Sequence, residues 1–105
     1  MKIDIKPMSA NQCWQGRRFK TKEYKIWREQ ISWLLKDYPK KEPPYLIEVT
    51  FHTNQDLDNC LKSFLDSLQD AGIITNDRYV EKIVAVKQKC KRNEEFIEFE
   101  VKRNS

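Results

Sequence analysis

Two stretches of the chain alternate apolar and polar residues, as a β-strand with one buried face requires. In residues 1–6, MKIDIK, Ile3 and Ile5 alternate with charged residues. In residues 45–53, YLIEVTFHT, the apolar positions are Ile47, Val49 and Phe51, and the polar positions between them are Glu48, Thr50 and His52. We predict one strand in each stretch.

A third stretch repeats apolar residues every three or four positions, which is the period of an amphipathic α-helix. The predicted helix begins near Thr21 or Lys22 and ends before Pro39, because the residue before a proline avoids the helical conformation. Its apolar stripe consists of Tyr24, Trp27, Ile31, Leu34 and Tyr38. Its opposite face, which we expect to be exposed to solvent, carries Lys25, Arg28, Ser32 and Lys36.

A second helix is predicted after the polar residues that follow the second strand. Asp58 or Asn59 can serve as its N-cap, and Gly72 ends it. Its apolar stripe consists of Leu61, Phe64, Leu65, Leu68 and Ala71.

The rest of the chain completes a small α+β fold. Residues 78–89, RYVEKIVAVKQK, and 95–103, EFIEFEVKR, read as two strands joined by a polar turn, which predicts a hairpin. Residues 6–23 show neither period and are predicted to form an exposed loop. The order strand, helix, strand, helix, strand, strand predicts a single domain over residues 1–105, with a mixed sheet of about four strands and two packed helices.

The charge is divided unevenly along the chain. Residues 1–41 hold 11 Lys and Arg against 4 Asp and Glu, a net charge of +7, whereas residues 42–105 hold 9 against 12, a net charge of −3. Clustered Lys and Arg attract phosphates and release counterions, so the basic part predicts a polyanionic partner. A solvated surface that keeps the protein in solution explains the same charge equally well.

Cysteine content and hydropathy exclude several classes of protein. The three cysteines, Cys13, Cys60 and Cys90, show no CxxC spacing, so they indicate neither a disulfide framework nor a zinc site. We expect Cys60 to be packed in the core. Apolar runs stay well below membrane-spanning length, and nothing resembles an export signal, so we expect a cytoplasmic protein without a membrane partner.

The stretch DLDNCLKSFLDSLQDAGIITND, residues 56–77, holds five aspartates. Asp56 and Asp58 are two residues apart, so at the end of an extended strand their side chains point to the same side. Asp77 stands just before the third long strand, and the chain returns near the first pair if that strand lies beside the second. Converging carboxylates repel one another without a cation, and hard oxygen ligands favour Mg²⁺ or Mn²⁺. Two such ions can promote phosphodiester hydrolysis.

Lys62 follows Asp58 by one helical turn and can reach the same site, where it would stabilise negative charge on a phosphate. The spacing equally allows a simple ion pair with Asp58 or Asp66. Asp58 can also be only a helix cap, and Asp77 only a turn residue.

Two other kinds of site do not fit the stretch. An EF-hand needs glycine at the position of Leu61 and a glutamate at the position of Ser67. The single histidine, without a strained serine or cysteine, gives no support to a nucleophilic triad.

The run from Asp56 to Leu68, DLDNCLKSFLDSL, resembles the signature D-x-D-N-x-x-K-x-x-x-D-x-L of the RusA family of Holliday-junction resolvases, which has a further aspartate after the helix. Asp77 fills that last position. Pro7, Ser9 and Asn11 are similar to an upstream P-x-S-x-N element of the family.

The resemblance implies a homodimeric, Mg²⁺-dependent endodeoxyribonuclease, with Mn²⁺ as an alternative ion and no organic cofactor. Such an enzyme binds four-way DNA junctions and makes paired symmetric nicks in recombination and repair. By motif, Asp56, Asp58 and Asp77 would be metal-binding catalytic residues, Lys62 the catalytic lysine, and Asp66 a structural support. Phages and prophages often encode the family, so a phage or prophage origin fits.

DNA would be held by the basic segment that precedes the first helix. Its phosphate contacts would come from Arg17, Arg18, Lys20 and Lys22, with Asn11 of the upstream element beside them. Trp14 or Phe19 would pack against sugars or an unstacked base. Two alternatives remain at this point: a noncatalytic protein that binds branched DNA, and a nuclease that also cuts flaps or forks.

Overall fold

The computed structural model describes residues 1–9, 14–15, 19–91 and 93–104, and of residues 14, 15, 19 and 20 the backbone alone. Its elements are β1 (Lys2–Ile3), β2 (Trp14–Gln15), β3 (Phe19–Lys20), α1 (Lys22–Leu35), β4 (Tyr45–His52), α2 (Leu57–Asp70), a 3₁₀ turn (Asp77–Tyr79), β5 (Val80–Gln88) and β6 (Phe96–Arg103). This order confirms the predicted α+β class with two helices and a mixed sheet of four strands. No helix in the described part of the chain is long and apolar enough to cross a membrane.

The four-stranded sheet has the order β1-β6-β4-β5. β4 and β5 run parallel, whereas β6 is antiparallel to both β4 and β1. The predicted hairpin between the last two strands is therefore wrong, since β4 lies between them. Every second residue of β4 is buried, as suits a central strand, while β5 contains no fully buried residue and takes the edge.

Both helices cover one face of the sheet. The buried face of β4 packs with β6, α1 and α2 in a single core, in which Phe64 makes edge contacts with Phe51 and Phe99 at ring-centroid distances of 5.7 and 5.2 Å. The predicted strand and helix stripes supply most of this core. On the other face of the sheet, which neither helix covers, lie the less buried polar residues of β4 and β6.

The first helix begins as predicted, with Thr21 as N-cap accepting a hydrogen bond from the Tyr24 backbone at 3.2 Å. It ends at Leu35, which is fully buried although the predicted stripe left it out. The assignment of Arg28 to the solvent-facing side is wrong. Its side chain is only 13% exposed and lies against α2, because the two helices pack along that side.

The second helix begins two or three residues earlier than predicted. Asp56 occupies the N-cap position with extended backbone angles, and Asp58 lies in the first helical turn, so neither Asp58 nor Asn59 is the cap. The helix ends at Asp70, and Gly72 follows in the left-handed conformation with φ of 75°, which glycine adopts without strain. The predicted role of Gly72 is confirmed.

The segment predicted as an exposed loop contains more structure than the pattern indicates. Trp14 pairs with Lys20 and Gln15 with Phe19 in a short antiparallel ribbon. Pro7 and Ser9 are buried, because the backbone carbonyls of residues 6, 7 and 8 accept hydrogen bonds from side chains of α1, residue 55 and α2.

Candidate active site

Several segments meet where β4 ends and α2 begins. Gln55 Nε2 donates to the Pro7 carbonyl at 2.7 Å, and the Ser63 hydroxyl donates to the Met8 carbonyl. Thr53 donates from its backbone to Gln88 at 3.0 Å and from its hydroxyl to Glu95 at 2.6 Å. These bonds fix the start of the basic segment, the end of β5 and the approach to β6 around one end of the sheet.

Asp56 and Asp58 stand at this end with their side chains exposed. The premise that they extend a strand is wrong, since β4 ends at His52 and Asp58 is helical. Neither carboxylate forms a hydrogen bond or ion pair with a described residue, and Asp56 does not cap the helix through its side chain. Both carboxylates are therefore available to a ligand. The N-terminal end of a helix carries a partial positive charge, which favours negative side chains at this position.

A third carboxylate belongs to the same negative region. Burial raises the pKa of the Cys60 thiol to about 11, with the charges of Glu95, Asp56 and Asp58 acting in the same direction and Lys87 against them. Glu95 is only 13% exposed and lies 3.6 Å from Lys6 Nζ. The hydrogen bond from the Thr53 hydroxyl, at 2.6 Å, holds Glu95 at this end of the sheet.

Glu95 is not among the site residues predicted from the sequence. Nothing in the local sequence marks this residue, which lies in the loop before β6. Glu95 is placed opposite Thr53 by the antiparallel pairing of His52 with Phe96. The sequence predicts a hairpin between β5 and β6 in place of this pairing, so it does not bring Glu95 to the site.

Asp77 lies at the opposite end of the sheet. It begins the 3₁₀ turn before β5, and Val80 pairs with Tyr45, the first residue of β4. Because β4 and β5 are parallel, α2 must run back along the sheet between them, and its 14 residues span about 21 Å. Within one chain, Asp77 is therefore not brought to Asp56 and Asp58.

Other possible metal ligands do not cluster among the described residues either. In the described part of the chain, no three His, Cys, Asp or Glu side chains are grouped so that they could hold a metal ion. The carboxylate pair at the start of α2 is the part of the predicted set that one chain assembles.

Lys62 lies one turn into α2 from Asp58, and its side chain is exposed. It forms no ion pair with Asp58, Asp66 or any other described residue, so the simple pairing considered for it is absent. Asp66 is also exposed, and its backbone carbonyl accepts a hydrogen bond from Arg28 at 3.4 Å. An exposed ammonium that forms no ion pair with a described residue suits contact with a phosphate.

The side chains at this end of the sheet carry oxygen atoms, which are the ligands that hard divalent cations prefer. Gln55 precedes Asp56 in the sequence, and its Oε1 is buried and has no hydrogen-bond partner among the described residues. A buried carbonyl oxygen without a donor is costly, and a hydrated cation would satisfy it. Amide and carboxylate oxygens are the ligand types that Mg²⁺ and Mn²⁺ prefer.

The predicted DNA contacts are described only in part. Lys22, the first residue of α1, is exposed. Trp14 and Lys20 are paired residues of the β2–β3 ribbon. Asn11, Arg17 and Arg18 lie outside the described residues.

A family model described as Endodeoxyribonuclease RusA matches residues 46–102, more than half of the chain. The match holds all four predicted catalytic residues, and the first 45 residues lie outside it. No curated protein matches the chain. The family match confirms the resemblance seen in residues 56–77.

Proposed function

The chain belongs to the RusA family of endodeoxyribonucleases, and we propose that it resolves four-way DNA junctions by paired symmetric nicks that require Mg²⁺, or Mn²⁺ in its place. The observation that carries this proposal is the start of α2. There Asp56, Asp58 and Lys62 of the family signature are exposed, and their side chains form no hydrogen bond or ion pair with a described residue. Gln55, next to Asp56 in the sequence, has a buried amide oxygen without a hydrogen-bond partner among the described residues.

The proposed roles follow from the chemistry of each group. Asp56 and Asp58 hold the metal, with Asp77 as the third carboxylate of the motif. Bound Mg²⁺ would polarise the scissile phosphate and favour the hydroxide form of the attacking water. Lys62 contacts a nonbridging phosphate oxygen, because its ammonium is exposed and can neutralise charge that develops there.

The basic N-terminal segment is the proposed DNA grip. Residues 1–41 carry a net charge of +7. The hydrogen bonds from Gln55 to Pro7 and from Ser63 to Met8 fasten this segment beside the acidic site. We propose that a DNA strand held by Arg17, Arg18, Lys20 and Lys22 passes close to Asp56 and Asp58. Asn11 and Trp14 would contact sugars or bases nearby.

A four-way junction has two equivalent cleavage points, so we propose a two-fold dimer with one site for each point. The proposed role is the resolution of junctions in recombination and repair. We therefore propose that the protein acts in the cytoplasm, where its DNA substrate lies.

The test is cleavage of an end-labelled synthetic four-way junction, compared with a linear duplex of the same sequence and with flap and fork substrates. Each is incubated with Mg²⁺, with Mn²⁺ or with chelator, and an Asp58→Asn variant is run beside the natural protein. We expect paired nicks in the junction only, dependent on metal and absent from the variant.

Other results identify the alternatives. Tight junction binding with no cleavage in either metal would leave a noncatalytic DNA-binding protein. Cleavage of flaps or forks at the junction rate would indicate a broader structure-selective nuclease.

A further inference from the structure

In the described sheet, three strands end on the side where the acidic pair lies. β4 and β5 are parallel, and β6 is antiparallel to both β4 and β1, so β1 also runs parallel to β4. The order β1-β6-β4-β5 places the chain that leaves β1 at one edge of this end and the chain that leaves β5 at the other edge. The chain that leaves β4 lies between them. Open sheets commonly bind ligands outside the carboxyl ends of parallel strands.

The chain that leaves β1 is the basic N-terminal segment, and the chain that leaves β4 carries Asp56 and Asp58. The chain at the end of β5 is basic as well. Residues 87–92, KQKCKR, hold four Lys and Arg and no acidic residue, although residues 42–105 as a whole have a net charge of −3. The structure describes residues 87–91, which we call the second basic segment. Its clustered positive charge suits a polyanion.

Hydrogen bonds fasten the second basic segment to the chain just before the acidic pair. The Thr53 backbone donates to the Gln88 carbonyl at 3.0 Å, and the Thr53 hydroxyl accepts from the Gln55 backbone at 3.2 Å. Asn54 Nδ2 donates to the Cys90 carbonyl at 2.9 Å. Since Gln55 Nε2 also holds the start of the basic N-terminal segment, the chain before the acidic pair is tied to a basic segment on each side.

The first lysine of the second basic segment, Lys87, lies on the same face of the sheet as α2. It pairs with Phe51 of β4, and Phe51 packs against Phe64 of α2. Paired residues on neighbouring strands point to the same face, and the Lys87 side chain is exposed there. Burial raises the pKa of the Cys60 thiol in α2 to about 11, and the charge of Lys87 opposes this shift. The positive charge of Lys87 therefore acts on the helix that carries the acidic pair.

An open groove beside the second basic segment offers room for a nucleic-acid strand. Its volume is about 810 Å³, and Lys89, Lys91, His52 and Phe96 are among the residues that line it. Both lysines are exposed and form no ion pair with a described residue. A positively charged groove that follows the backbone is the usual way in which proteins hold single strands.

The groove also contains acidic residues, two of which are paired with lysines. Asp4 lies 3.8 Å from Lys2 Nζ, and Glu95 lies 3.6 Å from Lys6 Nζ. Glu94 is exposed and forms no ion pair with a described residue, so its charge opposes a phosphate. The unpaired lysines of the second basic segment outnumber it, and the balance of free charge favours an anionic ligand.

We propose that the second basic segment binds phosphates of the DNA strand through Lys87, Lys89 and Lys91, on the side of Asp56 and Asp58 away from the basic N-terminal segment. This inference rests on the proposed function. It adds that the strand is held on both sides of the phosphate that is cut. Two such contacts restrict the motion of that phosphate over the carboxylates, which favours reaction.

The first experiment measures junction affinity by fluorescence anisotropy at several salt concentrations, with chelator present so that no strand is cut. In Lys87→Gln/Lys89→Gln/Lys91→Gln, the slope of log K against log [salt] should fall by about 0.9 for each lost phosphate contact, or about 2.7 in all. Replacing the same three lysines by Arg keeps their charge and should keep the natural slope. Circular dichroism checks that each variant folds.

The matched control is Lys82→Gln/Lys102→Gln/Arg103→Gln. It makes the same charge change on exposed residues at the opposite end of the sheet, near the start of β4, and should leave the slope nearly unchanged. An equal fall in the slope for the control and for the lysine variant would reflect net charge alone and would reject the second basic segment as a DNA surface.

The second experiment locates the contacts on the DNA. Junctions are made with a methylphosphonate, which lacks the phosphate charge, at single positions on either side of the cleavage point. The natural protein should lose affinity on both sides. The lysine variant should become insensitive to the methylphosphonates on one side, and Arg17→Gln/Arg18→Gln to those on the other. Insensitivity of both variants at the same positions would overturn the placement of the two segments on opposite sides.

The two proposals fail in different ways. If the natural protein nicks junctions but the lysine variant keeps the natural slope and the natural sensitivity to methylphosphonates, the second basic segment does not contact DNA and the nuclease function stands. If the natural protein nicks no junction with either metal but the lysine variant lowers the slope, the nuclease function fails and the DNA surface stands. A natural protein that binds no junction rejects both.

Discussion

The guanidinium of Arg28 on α1 forms an ion pair with the carboxylate of Asp70 in the last turn of α2. The same group donates to the Tyr24 hydroxyl and, at 3.4 Å, to the Asp66 carbonyl near the negative end of the α2 dipole. Its Nε is buried and has no hydrogen-bond partner among the described residues. This one side chain thus joins the two helices that cover the sheet.

We predict that Arg28→Met lowers the free energy of unfolding by roughly 1–3 kcal/mol, because hydrogen bonds from a largely buried charged group are lost while the apolar stem is kept. Urea denaturation followed by circular dichroism measures the change. Lys25→Met, on the exposed side of the same helix, is the control and should stay within about 0.5 kcal/mol of the natural protein. Equal stability of the two variants would mean that the Arg28 contacts make no net contribution to the free energy of unfolding.

Most of the fold could be predicted from the sequence because its periodic patterns are strong. The alternation in β4 and the stripes through Ile31 and Phe64 each require one buried face, and those faces form the core. Strand pairing could not be predicted in the same way. Nothing in the β5 or β6 pattern shows that β4 inserts between them, since that depends on how α2 crosses from β4 to β5.

The candidate site was predictable in its residue types and only partly in its geometry. The spacing of Asp56, Asp58 and Lys62 depends on local helix geometry, which a sequence motif captures. The distance to Asp77 depends on strand direction, because a parallel β5 begins at the far end of the sheet. Gln55 and Glu95 are held at the site by hydrogen bonds between distant parts of the chain, and such bonds produce no periodic pattern in the sequence.

Replacing Arg17 and Arg18 by Gln should weaken junction binding and flatten its salt dependence. Each lost phosphate contact reduces the slope of log K against log [salt] by about 0.9 on duplex DNA, so the slope should fall by about 2. Fluorescence anisotropy at several salt concentrations, with chelator present, measures it. Lys102→Gln/Arg103→Gln has the same charge change on β6 and should leave the slope nearly unchanged. An unaltered slope for the arginine variant would show that these residues do not contact phosphates.

The Cys60 thiol should make stability fall at alkaline pH. Its pKa is raised from 9.0 to about 11 in the folded protein, so the unfolded chain loses this proton first. The contribution is fully present below pH 9 and is lost as pH rises toward 11. Urea unfolding between pH 8 and 11 should show a steeper decline in the natural protein than in Cys60→Ala, which cannot ionise there. Parallel curves for the two proteins would contradict the raised pKa.

Asp58→Asn should separate cleavage from binding. It replaces a charged carboxylate ligand of the proposed metal site by a neutral amide. The rate of junction nicking with Mg²⁺ should therefore fall by at least about a hundredfold. The same change removes a negative charge near the DNA phosphates, so junction affinity in chelator should stay equal or rise.

The control for this prediction is Asp66→Asn, which makes the same chemical change two helical turns further along α2, where the exposed carboxylate forms no hydrogen bond or ion pair with a described residue. It should keep the natural nicking rate, because it lies about 12 Å along the helix from Asp58. Nicking by Asp58→Asn at the rate of Asp66→Asn would remove Asp58 from the site. Loss of junction binding in Asp58→Asn would instead show that the carboxylate shapes the DNA surface and does not only hold metal.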